Sequence, residues 1–253
     1  MEGTFGKLLH QVVFNAISIF SQNTQIPKKE LLKIWNECEQ SVKYEQPTPR
    51  DTAIHKLNQF ILSVKDKRII LLRIPEVVKW LYEDLSFLSP IEKKNKKEYK
   101  CLEDEWGRKT FKRIRPDLKL DGQWTNKFGE YICAEIYYLL GKTFTKPTII
   151  HRFEPDGETD DEIIEAKTQT YYTSGTAGEK ILGTPFKYAD VPTLYKKKLV
   201  IVCIGGAEKI CREQYGNLGK EQSQAKKRFL DFFKNEQIEY IGATEILNTL
   251  ICD

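Results

Sequence analysis

From Met1 to about residue 90, apolar positions recur at helical spacing. Leu8, Leu9, Val12, Val13, Ala16, Ile17 and Phe20 share one face. Pro27 is placed to open a second helix carrying Leu31, Leu32, Ile34, Trp35 and Cys38. Thr48-Pro49 reads as a cap and first-turn proline for a third, carrying Ile54, Leu57, Phe60 and Ile61. Arg68 to Ile74 is a short apolar run, strand or helix, and Pro75 opens a helix with Val77, Val78, Leu81 and Leu85. A break follows at Ser89 to Lys100, which holds Pro90 and the lysines 93, 94, 96, 97 and 100. It divides the chain into a helical N-terminal region, residues 1–95, and a second region, 96–253, and a fragment beginning near Tyr99 is expected to keep a folded core. The lysine-rich stretch itself reads as a solvated linker or as a basic strip lying against phosphates.

Beyond the break the pattern becomes mixed α/β. Phe128 to Leu140 predicts a helix with Ile132, Cys133, Ile136, Leu139 and Leu140 on one face. Thr148 to Phe153 is a β-rich run, and a polar turn from Glu154 to Asp161 leads into a second strand, Glu162 to Lys167. Ala177 to Leu182 suits a short helix. Lys198 to Ile204 is continuously apolar after its lysine, as a central strand covered on both faces should be. A long helix from about Lys220 to Asn235, a strand at Ile238 to Ile241 and a closing helix around Thr244 to Leu250 complete a mixed sheet with helices on its faces.

Composition narrows the class. The 253 residues are 40% hydrophobic and 30% charged, an ordinary globular balance, and the net charge of +4 permits nucleic-acid binding without arguing for it. No apolar run approaches the roughly 18 residues of a membrane span, and no signal peptide is read at the N-terminus, so a soluble intracellular protein is expected, cytoplasmic if bacterial and in the host cell or virion if viral. Six cysteines are scattered with no CxxC and are expected to be reduced thiols; the three histidines are far apart, so no zinc spacing can be assembled. Gly205-Gly206 lacks a GxGxxG pattern and no GxxxxGK[ST] occurs, which argues against nucleotide binding.

The chemistry concentrates in the segment from Pro155 to Lys167. Residues two apart on a strand share a face, so Glu165 and Lys167 emerge side by side, opposite Ile164 and Ala166, with Asp156 reaching the same edge from the turn. Two converging carboxylates suit a hard divalent cation, and the lysine puts a positive charge where a phosphate can sit and a water can be oriented. Asp160 and Asp161, just before the second strand, are alternative ligands; Arg115-Pro116-Asp117 is a more distant decoy. On the preceding helix Glu130 and Glu135 both flank the apolar face, and Gly129 beside Glu130 allows close approach of a strand or nucleic acid. Thr168, Gln169, Thr170, Tyr171, Tyr172, Thr173, Ser174, Gly175, Thr176 and Lys180 leave the same edge, a hydroxyl- and amide-rich run able to contact phosphates and base edges. Lys196 to Lys198 and Lys226-Lys227-Arg228 read as solvated faces that could line a duplex.

Pro155-Asp156 with Glu165-Ala166-Lys167, in this element order, resembles the PD-(D/E)xK nuclease superfamily, and the stretch from Thr168 to Lys180 is similar to type II restriction endonucleases. The resemblance covers roughly residues 110 to 250. It implies a restriction-endonuclease-like α/β fold with an N-terminal helical region for target recognition, dimer contacts or both. It implies Mg²⁺, for which Mn²⁺ may substitute, held by Asp156, Glu165 and the carbonyl of Ala166, with Lys167 acting on the water. A helix glutamate is expected near the metal, Glu130 being preferred and Glu135 the alternative. The implied reaction is hydrolysis of double-stranded DNA to 5′-phosphate and 3′-hydroxyl ends by a homodimer, with a DNA methyltransferase of the same site as a further partner. A structure-specific repair or recombination nuclease, or an inactive DNA-binding module, are the alternatives.

Overall fold

The computed structural model describes residues 27, 29, 54–59, 61, 69–88, 94–120, 122–173, 177–219 and 222–252. Apart from Pro27 and Lys29, the first two expected helices, and the residues between Leu88 and Lys94, lie outside them. The ordered elements are α1 (Pro75–Leu81), α2 (Lys96–Ile114), α3 (Trp124–Leu139), β1 (Gly157–Glu158), β2 (Glu162–Gln169), α4 (Ala177–Leu182), α5 (Thr184–Lys187), α6 (Val191–Tyr195), β3 (Lys198–Gly205), α7 (Gly206–Ile210), a π-helical turn (Cys211–Tyr215), α8 (Gln224–Asn235), β4 (Ile238–Gly242) and α9 (Ala243–Cys252).

The four strands form one mixed sheet in the order β1-β2-β3-β4, antiparallel between β1 and β2 and parallel between the rest. β3 is buried from Leu199 to Gly205, and its alternate side chains feed two different cores. Val200, Val202 and Ile204 join Ile164 of β2 in a large cluster with α1, α3 and α9; Leu199 and Ile201 join Ile163, Tyr188 and Val191 on the opposite face. This is the doubly covered strand that its unbroken apolar run demands. Among the described residues no helix is long and apolar enough to cross a membrane.

Two local predictions are corrected. Thr148 to Phe153 is not a strand. His151 takes a left-handed backbone (φ 54), and the run closes on itself through an Ile150–Phe153 bridge. Tyr195 pins it from across the fold: its hydroxyl accepts the Ile150 N–H at 3.2 Å and donates to the Thr148 carbonyl at 2.7 Å. The hairpin is therefore the short pair β1–β2, and Asp156 precedes its first strand rather than ending a longer one. The lysine-rich stretch, likewise, is not a linker from residue 96 onward. Asn95 accepts from the N–H groups of Lys97 and Glu98 while Glu98 accepts from the Asn95 N–H, a capping box that starts α2 there.

The large core also runs through the expected boundary at residue 95. Ile54, Leu57, Ile61, Ile69, Leu71, Leu72, Val77, Val78, Trp80 and Leu81 pack in the same cluster as Phe128, Ile132 and Val202. Two buried glutamates fasten this segment. Glu103 accepts from Trp80 Nε1 at 2.7 Å and from the Tyr171 N–H at 3.0 Å. Glu135 accepts the N–H groups of Ile70, Leu71 and Leu72 at 3.2, 2.9 and 2.8 Å. Burial nevertheless pushes Glu135 up to about 7. The native state thus holds its proton more tightly than the unfolded chain, and this group's contribution to stability falls as pH rises from 4.5 to about 7. Glu135→Ala is expected to remove that slope. It should also cost about 3 kcal/mol at pH 5, because the three N–H groups are left without partners. Urea unfolding of both proteins at pH 5 and pH 8 measures both effects.

Candidate active site

β2 delivers the side chains as its alternation requires. Ile163 faces Tyr188 and Val191, and Glu165 and Lys167 share that parity; Ile164, Ala166 and Thr168 face α3. A Cβ on Gly129 of α3 would overlap Thr168 Oγ1, so the glycine serves the close approach of helix to strand.

β1 ends its pairing at Gly157, opposite Ile164, which leaves the outer edge of β2 open from Glu165 onward. Asp156 occupies that edge. Its N–H donates to the Ile164 carbonyl at 3.0 Å, and its Oδ2 accepts the Ala166 N–H at 2.8 Å. A residue's own N–H and C=O point to the same side of an extended strand, so the Ala166 carbonyl shares the edge with Asp156.

Glu165 is buried. Its Oε1 accepts from Lys167 Nζ at 2.5 Å, while its Oε2 is buried with no hydrogen-bond partner among the described residues. Burial and then the charge of Glu165 push Asp156 up to about 7. The buried Tyr188 lies against Glu165, and its phenol is pushed far above its ordinary range by burial and by that same charge. Asp156, Glu165 and Lys167 line an open cleft of about 560 Å³. Gln123, Asn126 and Glu130 from the start of α3 make one wall, and Lys180, Thr184 and Lys187 of α4 and α5 make the other.

Asp156, Glu165, Ala166, Lys167, Thr168, Gln169, Lys180 and Glu130 therefore meet in one place. Glu130 stands at the rim, paired with Lys127 at 2.7 Å. Others do not join them. Glu135 is turned to the backbone of residues 70–72 and is a fastener of the core, because only burial against those N–H groups satisfies it. Asp161 is exposed and bound to Lys142 at 3.2 Å, Asp160 is exposed in the same turn, and Asp117 is tied to Arg115 at 2.5 Å. Tyr171 and Tyr172 turn inward: the Tyr171 hydroxyl donates to the Trp80 carbonyl at 2.7 Å, and Tyr172 stacks on Tyr99 at 5.0 Å. Thr170 is buried and shares a hydrogen bond with Thr173. Ser174, Gly175 and Thr176 lie outside the described residues. Lys197 and Lys198 pair with Glu158 and with Glu162 and Glu239, which fixes strand ends rather than presenting a basic face. Sequence reasoning passed over Gln123, Asn126, Lys187 and Tyr188; the two amides before an apolar helix were the one available signal.

Among the described residues no group of three or more His, Cys, Asp or Glu side chains encloses a metal site. The two carboxylates and the carbonyl still suit a hard divalent cation that keeps several waters. An unpartnered buried oxygen on Glu165 and the mutual repulsion of Asp156 and Glu165 are what such a cation would relieve. Comparison of the chain with protein-family models, with curated proteins and with solved structures gives no match.

Proposed function

We propose that the protein is a divalent-metal-dependent nuclease that hydrolyses phosphodiesters of double-stranded DNA, resembling type II restriction endonucleases on a PD-(D/E)xK-like core. The observation that carries this reading is the convergence of Asp156, Glu165 and Lys167 on the open edge of β2, inside a cleft with Lys180 and Lys187 on its wall. Asp156, Glu165 and the Ala166 carbonyl would hold Mg²⁺ or Mn²⁺. The metal, when bound, supplies Lewis-acid stabilisation of the phosphoryl oxygens and lowers the pKa of water. Lys167, held at 2.5 Å from Glu165, orients the attacking water and offsets charge building on the phosphate. Lys180 and Lys187 hold the flanking backbone, and Tyr188 fixes the side of Glu165 away from the cleft. In-line attack leaves 5′-phosphate and 3′-hydroxyl ends. Cutting both strands of a symmetric site calls for two copies of the chain, and a methyltransferase of the same specificity would protect the host's own DNA.

Incubation with plasmid DNA tests the reading. Discrete fragments are expected with Mg²⁺ or Mn²⁺, and none with EDTA or with Ca²⁺ alone. Cutting that persists undiminished in EDTA would remove the two-carboxylate site from consideration. Cutting confined to branched substrates would assign the core to repair or recombination instead.

A further inference from the structure

Cys203, on β3, and Cys211, the first residue of the π-helical turn, are fully buried, with their sulfurs 3.7 Å apart. Ile181 and Ala207 complete the cluster, and Ile210, Tyr215 and Leu218 pack against it. A single buried thiol behaves as an inert small hydrophobe. Two sulfurs at this separation need to close by only roughly 1.7 Å to reach a bond length of about 2.05 Å. Beside them lies a polar group with nothing to bind. The Asn217 amide is buried, with neither its oxygen nor its nitrogen hydrogen-bonded among the described residues. It lies against Cys211, where the Leu218 N–H donates to the Cys211 carbonyl at 3.4 Å. A buried amide without partners costs free energy, and an oxygen added to the Cys211 sulfur is what would satisfy it. The Cys203 thiol holds Cys211 below the ordinary thiol range against the opposing effect of burial, whereas the same contact and burial push Cys203 up. Cys211 is therefore the nucleophile of the pair and Cys203 the resolving thiol.

The cluster supports one wall of the cleft. Ile181 belongs to both, packing on the thiols and lining the cleft together with Lys180. Tyr215, the last residue of the π-helical turn, lies so close to α4 that a Cβ on Gly178 would overlap its ring and hydroxyl. The Tyr240 hydroxyl donates to the Ile181 carbonyl at 2.9 Å. Cys203 is also the register partner of Lys167 on the neighbouring strand, so the two side chains share a face of the sheet.

We propose that Cys203 and Cys211 are a modification site for hydrogen peroxide, which converts them to a disulfide that displaces α4 and disables the cleft. The Cys211 thiolate attacks one peroxide oxygen and the O–O bond breaks. Cys211 becomes a sulfenic acid, and the hydroxide released takes up the proton that Cys211 gave on ionising. Asn217 donates to the new oxygen. The Cys203 sulfur then attacks the Cys211 sulfur, the S–O bond breaks, and the oxygen leaves as water with the Cys203 proton. Two thiols lose two electrons, the peroxide gains them, and two waters form. Neither sulfur is exposed, so the oxidant enters when the π-helical turn opens locally. Closing the bond draws that turn toward β3, and with it Tyr215, its contact at Gly178 and the wall that carries Lys180 and Ile181. The thiol chemistry stands apart from the nuclease reading; its effect on cleavage rests on that reading.

The test treats the full-length protein with hydrogen peroxide, blocks remaining thiols, and maps peptides by mass spectrometry. The expected product is a Cys203–Cys211 crosslink, lighter by two hydrogens than the reduced pair and reversed by dithiothreitol. Cys101→Ser, at an exposed position, should leave it unchanged. Plasmid cleavage should fall about tenfold or more on oxidation and recover with dithiothreitol, since a displacement of about 1 Å near a site can cost that much. Cys211→Ser should cut like the unaltered protein and keep its activity in peroxide; Cys203→Ala, which adds no polar group, repeats the measurement if serine unsettles the fold. Asn217→Ala should slow crosslinking about tenfold without changing cleavage by the reduced protein. Peptides in which both thiols survive peroxide, or crosslinks to other cysteines instead, overturn the pair. A Cys203–Cys211 crosslink with undiminished cleavage overturns the switch. Protein that cuts no DNA in either state overturns the nuclease reading, and amide hydrogen exchange then decides the thiol proposal: oxidation must change exchange across Ala177–Leu182, and unchanged exchange overturns it.

Discussion

Lys167→Ala is expected to slow DNA cleavage about a thousandfold while leaving duplex affinity in Ca²⁺ within about twofold. The ammonium sits 2.5 Å from Glu165 on a half-buried strand, too deep in the cleft to grip the duplex at large but well placed for charge that grows only in the transition state. Glu165→Ala and Asp156→Ala should be comparably inactive and should also lose metal affinity. Without metal they should bind DNA as well as the unaltered protein or better, since each removes a negative charge facing the phosphates. Asp156→Asn should be inactive yet more heat-stable than the unaltered protein in EDTA. Its amide oxygen can still accept the Ala166 N–H, and the buried repulsion with Glu165 is gone. Asp117→Ala, Asp160→Ala and Asp161→Ala serve as comparisons and should cut normally, because none of the three lines the cleft. Single-turnover cleavage rates on this set decide the assignment. An inactive Asp160→Ala or Asp161→Ala beside an active Asp156→Ala moves the metal to the start of β2. Normal cutting by every variant, Lys167→Ala included, places the chemistry elsewhere.

What was legible in the sequence was whatever depended on local periodicity. Alternation along β2 separated Glu165 and Lys167 from Ile164 and Ala166, and the unbroken apolar run of β3 announced a strand covered on both faces. The helix before β2, and the order of strand, helix, strand and helix from β3 onward, followed the same way, but the first strand of the hairpin did not: it is Gly157–Glu158, not Thr148–Phe153. What failed depended on partners remote in sequence. Of the two glutamates flanking the apolar face of α3, the preferred Glu130 does line the cleft, whereas the alternative, Glu135, is taken by the backbone of residues 70–72, which a helical wheel does not reveal. The run from Thr168 to Lys180 is rich in hydroxyls and resembles a DNA-facing surface. Glu103, on a different helix, draws the N–H groups of Tyr171 and Tyr172 inward, which leaves the strand portion and Lys180 in the cleft. Thr148 to Phe153 has strand-forming side chains, but Tyr195 supplies its hydrogen bonds where a neighbouring strand would have. Lys187 and Tyr188 carry no motif of their own; only the crossover between β2 and β3 brings them beside Glu165.

A fragment beginning near Tyr99 is expected to fail to fold, contrary to the two-region division read from the lysine-rich stretch. Trp80 shows why. It is fully buried, with Phe128 at 5.5 Å, Tyr171 at 5.7 Å, and Trp106 and Trp124 at 6.1 Å from its ring, and its indole N–H satisfies Glu103 at 2.7 Å. Gly205, at the end of β3, has no room for a Cβ because this indole lies over it. Trp80→Ala alone should cost about 4 kcal/mol, from the cavity and from a buried carboxylate deprived of one donor. Truncation removes Trp80 together with Ile69, Leu71, Leu72, Val77, Val78 and Leu81, all buried in the same cluster. At about 2 kcal/mol for each of these seven buried side chains, the loss is about 14 kcal/mol, at the upper end of the 5–15 kcal/mol by which domains are typically stable. The fragment should therefore show no cooperative thermal transition and should bind hydrophobic dye. Full-length Trp80→Ala should remain folded at low temperature with a midpoint roughly 10 °C or more below that of the unaltered protein. Trp80→Phe, which keeps the aromatic packing and loses the Glu103 bond, should fall between them. A fragment from Tyr99 that unfolds sharply and reversibly would show that the N-terminal segment is a separate module after all, and would return it to a role in target recognition alone.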